Sequence, residues 1–80
     1  MDTNIIDKKR ICYFDIEGGC LLGIIFSCTN DIIVLEKHIL YSFDNEKIIS
    51  EPAGYSTDII NSYRKASIPE INRFIQLFNK

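Results

Sequence analysis

The chain has 80 residues, nine of them basic and eleven acidic, which gives a formal net charge of −2. This length predicts a single domain over residues 1–80, and the charge balance argues against a polybasic nucleic-acid binder. Hydrophobic residues make up 46% of the chain and include sixteen isoleucines. Isoleucine favours strands, because its β-branched side chain fits a pleated sheet.

The N-terminal segment, MDTNIIDKKR, has no apolar core of the length that a signal peptide requires. The longest apolar run, at residues 20–26, is much shorter than the roughly 20 residues that span a bilayer. We therefore expect a cytoplasmic protein that has no membrane partner.

A β-hairpin is predicted near the start of the chain. Residues 11–16, ICYFDI, are β-branched and aromatic and indicate a strand. The glycine pair at 18–19 indicates a tight turn, and residues 20–27 indicate the returning strand. If the two glycines form the loop, Phe14 faces Gly23, and a glycine there leaves room for the aromatic ring.

The middle of the chain predicts further strands separated by polar turns. Residues 28–31, CTND, indicate a turn. Residues 32–43 indicate one long bent strand, or two short strands that meet near residues 36–37. A second turn at 44–46 leads to a short strand at 47–50.

The C-terminal part changes from strand to helix. Residues 52–54, PAG, predict a break, and residues 57–64 predict a final strand. A helical period follows over about 68–79, and Ser67 and Glu70 fit a capping box at its start. Its predicted apolar stripe consists of Ile68, Ile71, Phe74, Ile75 and Phe78. The elements together predict an α+β fold: a curved antiparallel sheet or a small, partly open barrel of about five strands, with one C-terminal helix.

The glycine-rich stretch EGGCLLGIIFSC, at residues 17–28, is interpreted as structural. A dinucleotide-binding loop needs G-x-G-x-x-G at the start of a helix, whereas the residues after these glycines continue as a strand. We therefore expect no nucleotide cofactor there, and we expect the functional surface to lie elsewhere.

The cysteines and the single histidine give no catalytic or metal signature. Cys12, Cys20 and Cys28 are eight residues apart, whereas zinc sites use close C-x2–4-C pairs, so we expect buried, reduced thiols. No nucleophile or orienting carboxylate can be assigned to His38. The sequence predicts no catalytic residue, no metal, no cofactor and no enzymatic activity.

Two basic clusters supply the candidate partner-binding residues, which are Lys8, Lys9, Arg10, Arg64, Lys65 and Arg73. With the alternating aromatic side chains of the sheet, such residues would suit single-stranded RNA or DNA. A residual apolar patch or a free edge strand would instead suit a protein partner or a second copy of the chain.

The segment SYRKASIPEINRFIQLF resembles the end of small phage and prophage accessory proteins of low-GC Bacteroidetes. In both, a strand ends in an aromatic and a basic residue, and Ala, Ser/Thr and a Glu then lead into a short amphipathic helix. The matching positions are Tyr63, Arg64, Ala66, Ser67 and Glu70. The chain departs from that group in having no tryptophan.

This resemblance implies a non-enzymatic interaction protein, because the group includes anti-CRISPR inhibitors. Such a protein would bind and inhibit a host defence protein or ribonucleoprotein in the cytoplasm of the host bacterium. Two alternatives stay open at this point, namely a small barrel that binds single-stranded RNA or DNA directly and a toxin-immunity protein. A homodimer formed through an edge strand is a further expected assembly.

Overall fold

The computed structural model describes residues 7–78, and every strand pairing within them is antiparallel. The α+β prediction is confirmed, since a sheet of six strands, not closed into a barrel, carries one C-terminal helix. The strands are β1 (Ile11–Ile16), β2 (Gly19–Cys28), β3 (Ile32–Ser42), β4 (Asn45–Ile49), β5 (Ala53–Ser56) and β6 (Ile60–Lys65), and the helix is α1 (Ile68–Phe78). The predicted helix end, near residue 79, lies outside the described residues.

β3 is the longest strand and organises one side of the sheet. The order is β4-β3-β2-β1-β6, and β5 also pairs with β3. β5 lies along Ile32–Leu35 and β4 along His38–Ser42, so β3 is one strand that changes partner midway. The predicted break at residues 52–54 is misplaced, because the interruption covers residues 50–52 and Ala53 and Gly54 pair with β3.

The β1–β2 hairpin has a different register from the predicted one. Its loop residues are Glu17 and Gly18, with Gly18 at φ 82°, so one glycine supplies the positive φ of the turn. Gly19 belongs to β2, where a Cβ would lie 1.8 Å from the carbonyl oxygen of Tyr41. This close approach of β3 keeps Gly19 in the strand, and Phe14 therefore pairs with Leu21 instead of Gly23.

Each face of the sheet has its own apolar cluster, since strand side chains alternate between faces. One cluster consists of Cys12, Phe14, Ile16, Leu21, Ile33 and Leu35, with Tyr55, Ile59 and Ile60 packed against it. The other consists of Ile11, Leu22, Ile24, Ile39 and Phe74, with Ile71, Leu77 and Phe78 packed against it. The helix thus covers one face, and the chain from β5 to β6 packs on the other.

The predicted apolar stripe of α1 is correct at its centre and wrong at its start. Phe74 is completely buried, whereas Ile68 is 74% exposed, and Leu77, absent from the predicted stripe, joins the core. The 3.6-residue period identifies a helix face but not the length over which that face overlies the sheet. Here the overlap begins at Ile71. Among residues 7–78, no helix is long and apolar enough to cross a membrane.

The start of α1 is fastened to the sheet by one carboxylate. Glu70 Oε1 accepts the backbone N–H of Ser67 at 2.8 Å, which is the predicted capping contact. Both oxygens of Glu70 also accept N–H groups of Arg64, at 2.8 and 2.9 Å. The Arg64 guanidinium in turn lies over the Tyr13 ring, 4.3 Å from its centroid, so β6, β1 and α1 meet at this contact.

Replacing Glu70 should make the fold less stable and less sensitive to acid. The Arg64 guanidinium and the Ser67 N–H hold the pKa of Glu70 at about 2, below its usual 4.5. The carboxylate therefore stabilises the fold above about pH 4.5, and this contribution is lost as the pH falls towards 2. We expect Glu70→Gln to lower the free energy of unfolding by about 1 kcal/mol at neutral pH. Below about pH 4.5, the free energy of unfolding of the variant should fall less steeply than that of the wild type. Urea unfolding of both proteins between pH 2 and pH 7 measures these two effects. Equal pH dependence in the wild type and the variant would contradict the stabilising role of the Glu70 carboxylate.

Candidate functional site

β2 and β3 slip out of register twice near the middle of the sheet. Between Gly23 and Ile25 of β2, the facing part of β3 contains one extra residue, at positions 36–37. Between Ile25 and Ser27 the extra residue lies on β2 and is Phe26. Two neighbouring bulges of opposite sense restore the register beyond them, and bulges of this kind redirect side chains.

The two bulges free backbone carbonyls, and each is satisfied by a side chain. The carbonyl oxygen of Ile25 accepts a hydrogen bond from the Arg10 guanidinium, which also lies 3.5 Å from a carboxylate oxygen of Glu36. The carbonyl oxygen of Glu36 bonds to Nδ1 of His38 at 2.7 Å. Arg10 thus supplies a partner to an exposed carbonyl and His38 to a partly buried one, so both carbonyls beside the irregular pairing are hydrogen-bonded.

The His38 ring is completely buried and makes two hydrogen bonds. A carbonyl oxygen only accepts, so Nδ1 carries the proton and donates it to Glu36. Nε2 is then unprotonated and accepts the Tyr55 hydroxyl proton across 2.6 Å, with the two rings edge to face. This bond ties β3 to β5. Burial lowers the pKa of His38, which the Glu36 carbonyl partly opposes, and both ring nitrogens are occupied.

Gly23 makes room for this histidine. A Cβ on Gly23 would lie 2.4 Å from Cβ of His38 and 3.1 Å from the carbonyl oxygen of Lys37. The sequence analysis assigned the space around Gly23 to the ring of Phe14. That prediction is wrong, because Gly23 pairs with Cys12 and His38, and the atoms that leave no room for a Cβ are backbone and Cβ atoms of β3.

The bulges open an apolar groove, which we call the bulge groove. Its volume is about 410 Å³, and it is lined by Phe26, Val34, Glu36, Lys37, Ser50 and Pro52. Phe26 is 63% exposed, and neighbouring Ile32 is 48% exposed. Val34 alternates with the buried Ile33 and Leu35, so the groove lies on the opposite face from those side chains. The core residues that α1 covers belong to other positions of β1, β2 and β3.

Three of the six predicted partner-binding residues also hold the fold together. Arg10 lies beside Glu36, Arg64 beside Glu70 and Arg73 beside Glu46. The other three, Lys8, Lys9 and Lys65, are exposed, and none of them has an ion pair among residues 7–78. The arginines therefore face three different carboxylates at separate places and do not form one basic patch. Their role in partner binding stays a prediction.

The three thiols differ in exposure more than expected. Cys12 is buried, Cys20 is half-buried and Cys28 is exposed, and all three are free. Burial raises the pKa of the Cys12 thiol. In the part of the chain that the structure describes, no group of three or more His, Cys, Asp or Glu side chains could hold a metal ion.

A second hollow of about 370 Å³ lies beside β6. It is lined by Cys28, Ile33, Thr57, Ile60, Asn61, Ser62 and Tyr63. Tyr63 stacks on Phe14. Its lining includes no charged side chain, so it offers less for selective recognition than the bulge groove.

Sequence reasoning missed the bulge groove because its lining comes from distant segments. Phe26 falls inside the stretch at 17–28 that was interpreted as structural, and Pro52 was interpreted only as a break. A local signal existed in Phe26, an aromatic residue at the end of an apolar run. No protein-family model, curated protein or solved structure matches this chain.

Replacing Gly23 by alanine should destabilise the sheet more than replacing Gly54 by alanine. The new methyl group has no space beside the backbone of β3, and we expect a loss of about 1–3 kcal/mol. Gly54→Ala is the matched control, because its Cβ would meet only side-chain methyl groups, those of Ile32 at 3.3 Å and Val34 at 4.0 Å. Urea unfolding midpoints compare the two variants. An equally small effect at both positions would contradict the packing argument.

The burial of His38 predicts that stability falls in mild acid. Because its pKa is lowered in the folded protein, the unfolded chain takes up a proton first as the pH drops below about 6.5. We expect the contribution of His38 to the free energy of unfolding to be constant above that pH and to decline below it. His38→Gln should lack this component of the decline, although it should be less stable throughout. Chemical unfolding across the range tests this, and an unchanged slope in His38→Gln would contradict it.

Proposed function

We propose that this chain is a small, non-enzymatic protein that acts by binding another protein at the bulge groove. The observation that carries the proposal is the exposed ring of Phe26, which lies with Val34 and Pro52 in a groove edged by Glu36 and Lys37. An apolar centre with a polar rim is typical of protein interfaces. Aromatic residues in such centres often contribute most of the binding energy.

The cost of building the groove supports a functional role. Two bulges interrupt the longest strand pairing, and a buried histidine and an arginine are used to satisfy the freed carbonyls. A regular ladder would need neither residue. Bulges are common next to functional sites for this reason, since they redirect a side chain that regular pairing would place elsewhere.

The charge distribution favours a protein partner over a nucleic acid. Arg10, Arg64 and Arg73 each lie within 4 Å of a carboxylate, so phosphate binding would have to compete with an existing ion pair. The net charge of −2 adds no long-range attraction for a polyanion.

The identity of the partner is suggested by the C-terminal segment. Its resemblance to phage accessory proteins points to a host defence protein or ribonucleoprotein as the target, with inhibition by occupation of a surface. His38 follows the groove residue Lys37 in the chain, but both of its ring nitrogens are hydrogen-bonded inside the fold, which supports a binding role over a catalytic one.

Phe26→Asp should abolish partner binding and leave the fold intact, because the ring is mostly exposed. The matched control is Ile68→Asp, which places the same acidic side chain at a more exposed apolar position at the start of α1, where a negative charge is tolerated. Tagged wild-type protein and both variants are used for affinity capture from a bacterial host lysate, followed by quantitative mass spectrometry. We expect the wild type and Ile68→Asp to retain the same partner, and Phe26→Asp to lose it by about tenfold or more.

A parallel titration with labelled single-stranded RNA and DNA at two salt concentrations tests the alternative. Equal capture by Phe26→Asp would exclude the bulge groove as the binding site. Tight, salt-sensitive binding of nucleic acid by the isolated protein, without a captured protein partner, would replace the proposal with direct nucleic-acid binding.

A further inference from the structure

Phe43 is the most exposed large apolar side chain among the described residues. It is 91% exposed, and it lies in the β3–β4 turn at φ 55°, the only positive φ among the described non-glycine residues. A bulky side chain rarely adopts this backbone conformation, which costs of order 1–3 kcal/mol. Exposure and strain at the same residue point to a contact that the isolated chain does not make.

The surroundings of Phe43 are acidic. Gly19 pairs with Ser42, so the β1–β2 turn and the β3–β4 turn lie at the same end of the sheet. These two turns place the exposed carboxylates of Glu17 and Asp44 at the end that carries Phe43. We call Glu17, Phe43 and Asp44 the acidic tip.

The bulge groove has the opposite character. Its apolar lining is edged by Lys37, and the turn at residues 8–10 adds three basic side chains next to β2. The acidic side chains near the groove are Asp7, which caps that turn, Glu36, which is paired with Arg10, and Glu51, which lies between two groove residues in the sequence. The four basic side chains near the groove thus outnumber the three acidic ones, whereas the acidic tip carries two carboxylates.

The acidic tip cannot reach the groove of its own molecule. Phe43 and the groove residue Val34 lie at opposite ends of β3, and nine residues of extended chain span about 30 Å. The near edge of the groove, at Lys37, is six residues from Phe43, or about 20 Å of extended chain, so the two features stay apart in a molecule whose longest dimension is 38 Å.

We propose that Phe43 of one copy inserts into the bulge groove of a second copy, with the acidic tip facing Lys37 and the basic turn at 8–10. The contact joins two different surfaces, so it is head-to-tail and leaves a free tip and a free groove on every pair. Such an assembly grows into a ring or an open chain as concentration rises. It uses the groove of the proposed function, and a host partner would therefore compete with self-association.

The test uses two variants that each retain one half of the contact. Phe26→Asp damages the groove and retains the tip, whereas Phe43→Asp retains the groove and removes the anchor. Sedimentation velocity of the wild type over a wide concentration range should show masses that rise past the dimer. Each variant alone should remain a monomer, with self-association weakened by about tenfold or more. An equimolar mixture should form a 1:1 dimer and no larger species.

Three outcomes would overturn the inference. They are a monomeric wild type at every concentration, persistent self-association of Phe43→Asp, and a mixture of the variants that stays monomeric. Circular dichroism establishes that each variant is folded, and Phe26→Ser and Phe43→Asn repeat the test with milder changes, because asparagine tolerates positive φ.

The result is distinguishable from the test of the proposed function. If a host partner depends on Phe26 and the wild type stays monomeric, only the head-to-tail contact is lost. If the mixture of variants dimerises and no captured partner depends on Phe26, the groove serves self-association and the host-partner proposal is lost.

Discussion

The hydrogen bonds of the buried His38 ring are the interaction on which the rest of this structure depends. One ring nitrogen donates to the Glu36 carbonyl inside the bulge, and the other accepts the Tyr55 hydroxyl proton from β5. Gly23 allows β3 to come this close at His38, because a Cβ there would lie 2.4 Å from Cβ of His38. Without these bonds, the Glu36 carbonyl of β3 would be unsatisfied, and a link between β5 and the sheet would be lost. The free energy of unfolding would then fall by an amount typical of polar groups left unpaired.

The bulges stabilised in this way determine what the surface presents. Phe26 points outward because β2 has one residue more than β3 at that point, and Glu36 and Lys37 lie at the groove because β3 has the compensating extra residue. Arg10 contacts both strands at this point, through the carbonyl oxygen of Ile25 and the carboxylate of Glu36. The groove is thus built mainly on the two central strands, and Ser50 and Pro52 from the segment between β4 and β5 complete its lining.

The two ends of the long strand pair differ in chemistry. One end carries the groove with its basic neighbours, and the other carries an exposed aromatic ring between acidic turns. Rigid strands connect them, so neither end can satisfy the other within one molecule. In our proposals, the groove binds a protein partner, and the acidic tip of a second copy binds the same groove when the protein is concentrated.

The sequence alone was enough to determine the α+β class, the presence of the first hairpin, the C-terminal helix and its Glu70 cap. These features could be predicted because hydrophobic periodicity, glycine turns and capping residues act over a few neighbouring positions. Sequence reasoning assigned the space at Gly23 to the ring of Phe14, whereas the close neighbours are backbone and Cβ atoms of β3. It also missed β5, whose Gly54 looks like a break until Val34 pairs with it. Only the tertiary structure decided the bulges, the role of His38 and the groove. Those features depend on pairings between residues far apart in the chain, and strand register is set by packing and close backbone approach, which no short stretch of sequence records.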